Sequence, residues 1–331
     1  MTERDTTYQR MRHEKKVADY YDRANIFYFL MWHGRTFGQH YGFWARGIKN
    51  RHEAILAENA ELARLAKIKE GDLVLDAGCG VGGSSAWIAK NIGAEVVGIN
   101  LSEVQLHGAQ RVVSEEKNKY MVADKTGFSK ADFHRMPFAN ESFDIVWSLE
   151  SLEHAVSIDE FIKESFRVLK PGGRIVIAAT LKGEIEPSEE QWCQLHVGGD
   201  TSGAVVDFQT GDQVRNLMEV AGFEKLRRLD FTEEVLPSAR EMTNMCLWGY
   251  PVAKAISQLT QHVARIFPEI DKIRKVQMFD KPIGEIIYNV LDASPLITMN
   301  NEWGLYQEDL FRADVTRYNV LIGQKPAEIE A

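Results

Sequence analysis

The middle of the chain, from Asp72 to about Ala179, alternates short apolar runs with longer amphipathic stretches. Residues 95–99, 142–148 and 175–179 are rich in apolar and β-branched side chains, which predicts a buried strand at each. The stretches between them have the spacing of surface helices. Because strands that alternate with helices pair through crossover connections, this pattern predicts a parallel, doubly wound α/β sheet.

The same pattern places elements on both sides of this middle region. Residues 51–67 have the apolar spacing of an amphipathic helix, and residues 213–220 predict a second one. Residues 225–231 predict a sixth strand, and residues 317–323 predict the final strand. The sheet is therefore expected to resume after a long interruption.

That interruption, residues 232–315, is too long for an ordinary connection, and long connections are usually functional or disordered. Its apolar residues recur at helical spacings, with Pro251 and Pro268 as expected breaks. It is therefore predicted to be helical, either packed on the sheet or closing an apolar substrate cavity. The predicted parts are an N-terminal aromatic-rich helical cap (1–70), a core (71–231 and 316–326) and a helical lid or substrate insert (232–315).

Composition limits the classes of partner. The formal net charge of −9 over 331 residues argues against a nucleic-acid partner, because phosphate binding generally needs a basic face. No apolar run reaches the roughly 18 residues of a membrane span, and the charged N-terminus lacks the features of a secretory signal. Cys79, Cys193 and Cys246 match no metal or disulfide pattern, which is typical of a cytoplasmic protein. No metal is predicted, transient membrane contact is permitted, and the oligomeric state is left open.

The stretch from Val74 to Gly83, which follows an apolar run and contains a glycine-rich turn, carries the strongest chemical signal. Gly78, Gly80 and Gly83 have the spacing of a dinucleotide-binding loop, in which glycines let the backbone approach a ligand closely. A dehydrogenase would place an acidic residue about 20 residues further on to hold the ribose. Here that position is the neutral Asn100, whereas an acid, Asp76, stands inside the glycine motif itself.

This form of the motif resembles the first motif of the class I S-adenosylmethionine-dependent methyltransferases. Residues 131–138 and 167–174 resemble later segments of that family. The resemblance implies a doubly wound, seven-stranded Rossmann-like sheet with an N-terminal helical cap and a helical insert between strands six and seven. It implies S-adenosylmethionine as cofactor, bound by Asp76, Gly78, Cys79, Gly80, Gly82, Gly83, Asn100, Leu101, Gln105, Asp132, Phe133 and Leu149.

Residues 75–85, 98–105 and 147–154 narrow the resemblance to the sterol and tocopherol C-methyltransferases and their bacterial prenyl and natural-product relatives, and residues 40–43 match an element near the start of the tocopherol enzymes. In that family the glycine turn lies against the methionine part of the cofactor, and Asp132 meets the adenine amine. Many class I enzymes hold the ribose with an acid at the position of Asn100. The ribose hydroxyls are therefore expected to use Asn100, Ser102 or Gln105.

Three residues are the catalytic candidates. Glu150 follows strand four, which lies beside strand one in this topology, so it would face the transferred methyl group. His154 shares a face with Glu150 if a helix begins there, whereas Glu153 is expected to be solvated. His40 lies in a glycine-rich turn from which its side chain reaches the site.

Two kinds of methyl transfer fit these residues. In C-methylation, an alkene attacks the methyl group and leaves a carbocation, which a carboxylate and aromatic faces stabilise. In O- or N-methylation, Glu150 or His154 is the general base. The preferred acceptor is hydrophobic and of prenyl, terpenoid or sterol size, and its candidate contacts are Tyr20, Tyr21, Tyr41, Trp44 and Trp248.

Several alternatives stay open. A phenolic, glycosylated or alkaloid-like acceptor would take the methyl group on oxygen or nitrogen. A prenyl diphosphate acceptor would require converging Lys or Arg side chains, with or without Mg²⁺. A non-catalytic protein that binds S-adenosylmethionine is the remote alternative.

Overall fold

The computed structural model describes residues 3–32, 34–115, 120–202, 208–266, 277–278, 281–282, 298–299 and 301–327. Its strands are β1 (Leu73–Ala77), β2 (Glu95–Asn100), β3 (Thr126–Lys130), β4 (Phe143–Leu149), β5 (Leu169–Lys182), β6 (Glu224–Asp230), β7 (Gln277–Met278), β8 (Lys281–Pro282) and β9 (Thr316–Gln324). Its helices are α1 (Glu3–Met31), α2 (Arg51–Ala66), α3 (Gly83–Ile92), α4 (Glu103–Ser114), α5 (Ile158–Val168), α6 (Glu189–Ser202), α7 (Gly211–Val220), α8 (Thr232–Ile266) and α9 (residues 301–312).

Seven of these strands form one sheet in the order β3-β2-β1-β4-β5-β9-β6, which confirms the predicted seven-stranded fold. Strands β1 to β5 pair in parallel, whereas β9 runs antiparallel to both of its neighbours, β5 and β6. The sheet is therefore mixed. The strand order reverses at β1, between β2 and β4, and doubly wound sheets bind ligands at the carboxyl ends of strands beside such a point.

The helix boundaries follow from capping side chains. Asn50, Ser102, Ser157 and Thr210 each accept a hydrogen bond from a backbone N–H in the first turn of the helix that follows. The helices predicted at residues 51–67 and 213–220 are confirmed as α2 and α7 within two residues at each end. None of the described helices combines the length and the apolarity needed to cross a bilayer.

Two hydrophobic clusters cover the two faces of the sheet, because successive residues of a strand point to opposite faces. Val74 and Trp147 belong to one cluster, and their neighbours Leu75 and Val146 belong to the other. The first cluster also takes in Tyr41 from the N-terminal region, together with Val235 and Phe311 from the segment between β6 and β9. The N-terminal region and this segment therefore pack on one face of the sheet.

One prediction about that segment is wrong. Helix α8 continues through Pro237 and Pro251 rather than ending at Pro251, while position 268 lies outside the described residues. A proline inside a helix removes a backbone hydrogen bond and costs about 3 kcal/mol. The helix is held by tertiary contacts instead: Val235 is fully buried, and the Thr243 hydroxyl donates to the Gly304 carbonyl of α9.

Candidate active site

A cavity opens at the carboxyl ends of the central strands and holds about 920 Å³ of space, including its mouth. The turns after β1, β2, β3 and β4 form its floor and walls. Helix α1 covers it with His13, Glu14, Val17 and Tyr21. All the residues predicted to bind the cofactor line this cavity except Gly82.

The glycine turn packs closely against two neighbouring segments, at positions where any side chain would collide. Gly78 has a φ of 95°, and a Cβ built on it would lie 2.3 Å from the Ser151 Cβ. Gly82 has a φ of 78°, and its Cβ would lie 2.9 Å from the Ala109 Cβ on α4. Gly78 therefore keeps the turn against the segment after β4, while Gly82 keeps it against α4, behind the cavity wall.

Asp76 is buried beneath this turn, with 2% of its surface exposed. Its Oδ2 atom accepts a hydrogen bond of 2.5 Å from the Ser85 hydroxyl at the start of α3. Burial raises the pKa of Asp76 to about 6, although Ser85 and His40 act in the opposite direction. The acid thus links β1 to α3 and orders the loop between them.

Asn100 organises the wall on the other side of the turn. Its Nδ2 atom donates to the Gly80 carbonyl at 3.3 Å and to the Gln105 side chain at 2.8 Å. Ser102 does not line the cavity, because its hydroxyl caps α4 and donates to Asp22 of α1 at 2.5 Å. The cavity is therefore left with Asn100 and Gln105 as the neutral side chains predicted for the ribose.

The far end of the cavity holds Asp132 and Phe133, as the resemblance implied. The Asp132 carboxylate accepts from the His134 backbone at 2.9 Å and contacts the His134 Nδ1 atom at 2.6 Å. Glu14 of α1 lies beside it: burial, followed by the charge of Asp132, raises the pKa of Glu14. Sequence analysis missed both residues: Glu14 belongs to no motif that the family resemblance marks, and His134 lies in the marked segment 131–138 but was assigned no role there.

Glu150 occupies an unusual backbone position directly after β4. Its φ is 49°, in the left-handed region that residues other than glycine rarely adopt, and such strain concentrates at functional sites. Its Oε1 atom accepts from the Tyr41 backbone N–H at 2.8 Å and from the Tyr318 hydroxyl at 3.0 Å. Burial, and after it the charges of Glu58 and Glu153, raise the pKa of Glu150 well above its ordinary value.

No α-helix begins at Glu150 in this described segment, so the condition under which Glu150 and His154 would share a helical face is not met. Only a short 3₁₀ turn forms at Leu152–His154, and α5 begins at Ile158. Both residues line the cavity nevertheless. The His154 Nε2 atom is 2.7 Å from the Tyr21 hydroxyl, which ties α1 to this side of the site.

The expectation that Glu153 is solvated is wrong. Its side chain is half-buried, and its Oε1 atom accepts from the Thr180 backbone N–H at 2.7 Å. Its Oε2 atom is inaccessible and has no hydrogen-bond partner among the described residues. Burial raises the pKa of Glu153 to about 7.

His40 is buried at the cavity wall, with 3% of its surface exposed. Its Nδ1 atom lies 2.6 Å from the Oε2 atom of Glu58, which is fully buried on α2. The Gly42 backbone N–H donates to the same oxygen at 2.7 Å, and the Tyr318 hydroxyl donates to Oε1 at 2.7 Å. Sequence analysis did not identify Glu58, although an acid on the apolar face of an amphipathic helix is a usable signal.

The five predicted acceptor contacts occupy different environments. Only Tyr21 lines the described cavity. Tyr41 packs edge-on against Phe311 and Tyr318 and reaches the site through its backbone N–H. The other three are Tyr20, which is bonded to the Tyr28 hydroxyl, Trp44, whose indole N–H donates to Ser238, and Trp248, which is 85% exposed on α8.

Comparison with known proteins agrees with the family resemblance of the sequence. A family model described as a methyltransferase domain matches residues 75–177. Methyltransferase GfsG of Streptomyces halstedii is 34% identical over 68% of this chain and 78% of its own length. A sterol 24-C-methyltransferase of Aspergillus fumigatus is 31% identical over 78% of this chain and 65% of its own. A chloroplastic tocopherol O-methyltransferase of Arabidopsis thaliana is 31% identical over 67% of each chain.

These relatives confirm the sterol and tocopherol resemblance with one correction. The tocopherol enzyme is named as an O-methyltransferase, not a C-methyltransferase, so the relatives include carbon and oxygen acceptors. Solved structures share the fold at lower identity. The cyclopropane synthase MmaA2 of Mycobacterium tuberculosis superposes with a TM-score of 0.70 at 17% identity over 95% of this chain and 98% of that one. Geranyl diphosphate C-methyltransferase of Streptomyces coelicolor A3(2), in complex with Mg²⁺, geranyl diphosphate and S-adenosyl-L-homocysteine, gives 0.64 at 16% identity over 95% and 98%.

Proposed function

Because this chain belongs to the class I S-adenosylmethionine-dependent methyltransferases, we propose that it methylates a carbon atom of an uncharged, hydrophobic acceptor of prenylated, terpenoid or sterol size. Its relatives are named as methyltransferases, so it is an enzyme of this class, and S-adenosylmethionine is its cofactor. The choice of acceptor and the roles of individual residues are the proposal.

The residues of the cavity fit this cofactor. The cofactor supplies an electrophilic methyl group on a positively charged sulfonium. In our proposal, the close approach allowed by Gly78 receives the methionine part, Asn100 and Gln105 receive the ribose, and Asp132 and Phe133 receive the adenine. A carboxylate beside an aromatic ring offers both a hydrogen-bond acceptor and a stacking surface for the base.

The charge of the cavity carries the proposal about the acceptor. Four acids line it, Glu14, Asp76, Asp132 and Glu150, and no lysine or arginine is among its described lining residues. A diphosphate would meet these acids without a lysine or arginine among the described lining residues to pair with, which is unfavourable in a partly buried site. A neutral acceptor that becomes cationic during the reaction is stabilised by the same surroundings.

Glu150 is the proposed stabiliser of that cation. The Tyr41 N–H and the Tyr318 hydroxyl fix its Oε1 atom, so the carboxylate does not need to reorganise as charge develops. Burial disfavours its ionised form, but a positive sulfonium and a developing carbocation favour it. The face of Tyr21, which lines the same cavity, adds a cation–π contribution.

The segment between β6 and β9 contributes to this arrangement through Tyr41. The Ser238 hydroxyl of α8 donates to the Tyr41 carbonyl, and the Tyr41 hydroxyl donates to the Gln307 side chain on α9. We therefore propose that residues 232–315 shape the acceptor side of the site, whether or not they move as a lid. That these residues form a separate lid or substrate insert is also part of this proposal.

O-methylation is the second candidate, and one geometric observation favours it. His154 lies 2.7 Å from Tyr21, and both line the cavity, so an imidazole is present to take a proton from a hydroxyl acceptor. The tocopherol relative is named for transfer to oxygen.

The test is methyl transfer from isotope-labelled S-adenosylmethionine to two acceptor pools, with the labelled atom located by NMR. One pool holds terpenoids, sterols, prenylated phenols and prenyl diphosphates, and the other holds phenols, glycosides and amines. We expect a label on carbon of an uncharged lipid, lost in Glu150→Gln and retained in Glu61→Gln, a matched change at an exposed ion pair of α2. A label on oxygen or nitrogen contradicts C-methylation, and labelling of a diphosphate contradicts the charge argument.

A further inference from the structure

Three buried side chains, His40, Glu58 and Tyr318, meet the half-buried Glu150 at the cavity wall. The His40 Nδ1 atom lies 2.6 Å from Glu58 Oε2, and the Tyr318 hydroxyl lies 2.7 Å from Glu58 Oε1 and 3.0 Å from Glu150 Oε1. His40 and Glu150 both line the cavity, whereas Glu58 and Tyr318 do not. The chain of contacts therefore begins and ends in the same cavity.

The donors around Glu58 determine where the proton of His40 lies. A backbone N–H from Gly42 and the hydroxyl of Tyr318 occupy the two carboxylate oxygens as donors, which is the environment of an ionised carboxylate. An ionised Glu58 accepts at Oε2, so the His40 Nδ1 atom must donate to it. In a neutral imidazole the other nitrogen, Nε2, then carries the free lone pair.

The surroundings of Nε2 suit an acceptor of protons. Nε2 has no hydrogen-bond partner among the described residues, although only 3% of the surface of His40 is exposed. Gly38 faces it: a Cβ at that position would lie 2.8 Å from Nε2. The Nε2 atom is itself inaccessible to water, and the imidazole fits beside residue 38 only because that residue has no side chain.

We propose that Glu58 is a positioning residue that holds the proton of His40 on Nδ1, and that His40 Nε2 removes the proton that the acceptor loses during methyl transfer. This inference rests on the proposed function, because it names the base for that reaction. It also gives a function to α2, a helix that contributes no residue to the described cavity lining.

The proton and electron balance is complete. An alkene acceptor uses its π electrons to form the new C–C bond, and the electron pair of the broken S–CH₃ bond stays on sulfur. The resulting cation loses a proton from the neighbouring carbon to Nε2, and that C–H electron pair forms the new double bond. A hydroxyl acceptor gives its O–H proton to Nε2 instead.

Tyr318 connects this base to the proposed cation stabiliser. Its single hydroxyl proton lies between two carboxylates, so a positive charge on His40 strengthens the ionised form of Glu58, and Tyr318 transmits the change to Glu150. Asp76 from β1 also interacts electrostatically with His40, but it makes its hydrogen bond to Ser85 and not to the imidazole. Glu58 is therefore the carboxylate that orients the ring.

The test uses ¹⁵N-histidine NMR on the full-length protein, with the His40 signals assigned by their loss in His40→Gln. We expect an unprotonated Nε2 and a protonated Nδ1 in the neutral ring. Glu58→Gln keeps an acceptor oxygen but removes the charge, so the share of rings that carry the proton on Nδ1 should fall. Glu61→Gln is the matched control on the same helix and should leave the position of the proton unchanged.

Kinetics decide whether His40 is the base. In Glu58→Gln, kcat should fall together with the share of rings protonated on Nδ1, while affinity for S-adenosyl-L-homocysteine stays constant. A protonated Nε2 in the wild type, or an unchanged proton position in Glu58→Gln while the melting temperature falls, would overturn the positioning role. A changed proton position without a loss of kcat would overturn the role of His40 as base. Failure of the wild type to methylate any acceptor would refute the proposed function instead, because the NMR result does not depend on an acceptor.

Discussion

Replacing Tyr318 with phenylalanine removes one hydroxyl from the centre of the buried carboxylate network and leaves the ring in place. That hydroxyl donates to Glu58 at 2.7 Å and lies 3.0 Å from a Glu150 oxygen. The ring is fully buried against Tyr41, so water cannot readily replace the lost donor. We expect Tyr318→Phe to fold less stably and to shift the titration of Glu150.

The magnitude follows from the charge of the partner. A hydrogen bond to a charged group contributes about 1.5–3 kcal/mol to the free energy of unfolding. With an unfolding entropy of about 2.1 cal/mol/K per residue, the melting temperature of a chain of this size should fall by about 2–4 °C. The Tyr318 hydroxyl also lowers the pKa of Glu150, so its removal raises that pKa further above its ordinary value.

The raised pKa of Glu150 also determines how the free energy of unfolding changes with pH. A carboxyl group whose pKa is raised in the folded state binds its proton more tightly there than in the unfolded chain, so stability falls as pH rises from the unfolded pKa to the folded one. The deficit of Tyr318→Phe should therefore be larger at pH 8 than at pH 5.

Calorimetric or denaturant unfolding at these two pH values measures the deficit. Tyr120→Phe is the control, because the Tyr120 hydroxyl makes one long bond of 3.4 Å to a neutral carbonyl and should lose little. Equal deficits in the two variants, or a Tyr318→Phe deficit that is the same at pH 5 and pH 8, would refute the network of buried charge.

Three further results are expected. Gly78→Ala should weaken S-adenosylmethionine binding at least about tenfold by calorimetry, because the new Cβ would collide with Ser151; wild-type affinity would show that the turn is not the binding surface. Trp248→Ser should leave stability within about 0.5 kcal/mol and methyl transfer unchanged, since the indole is 85% exposed; a loss of activity would place this residue at the acceptor. Glu153→Gln should become more stable relative to the wild type by about 1–3 kcal/mol between pH 5 and pH 8, because the pKa of Glu153 is raised to about 7 and the amide can still accept from Thr180; a flat difference would contradict its burial.

The apolar strands and the glycine turn were predictable because their signals are local. An apolar run between turn residues needs no partner to be recognised, and the family resemblance placed strand four beside strand one. Strand β3 was not predicted, because none of its residues is buried and it carries no apolar run. Helix α2 was predicted from periodicity, but periodicity alone did not say what its buried Glu58 contacts. Glu58 and Tyr318 are 260 positions apart in sequence, and only the fold brings them together.

The errors also have local physical causes. A helix that began at Glu150 would have given Glu150 and His154 a shared face, but the Glu150 backbone N–H still bonds to the Ala178 carbonyl of β5. Because of this backbone hydrogen bond and the positive φ of Glu150, the next α-helix begins only at Ile158. The break expected at Pro251 did not form, because propensity is overridden where a helix is held by packing.

The hydrogen bonds between the 232–315 segment and Tyr41 have a consequence for evolution and engineering. Ser238 and Gln307 hold the carbonyl and the hydroxyl of Tyr41, and the N–H of that same residue holds Glu150. A graft of this segment from another methyltransferase would therefore transplant more than a differently shaped pocket. It would also reset the direction of the carboxylate at the reacting centre, so acceptor range and chemical rate should change together in such chimeras.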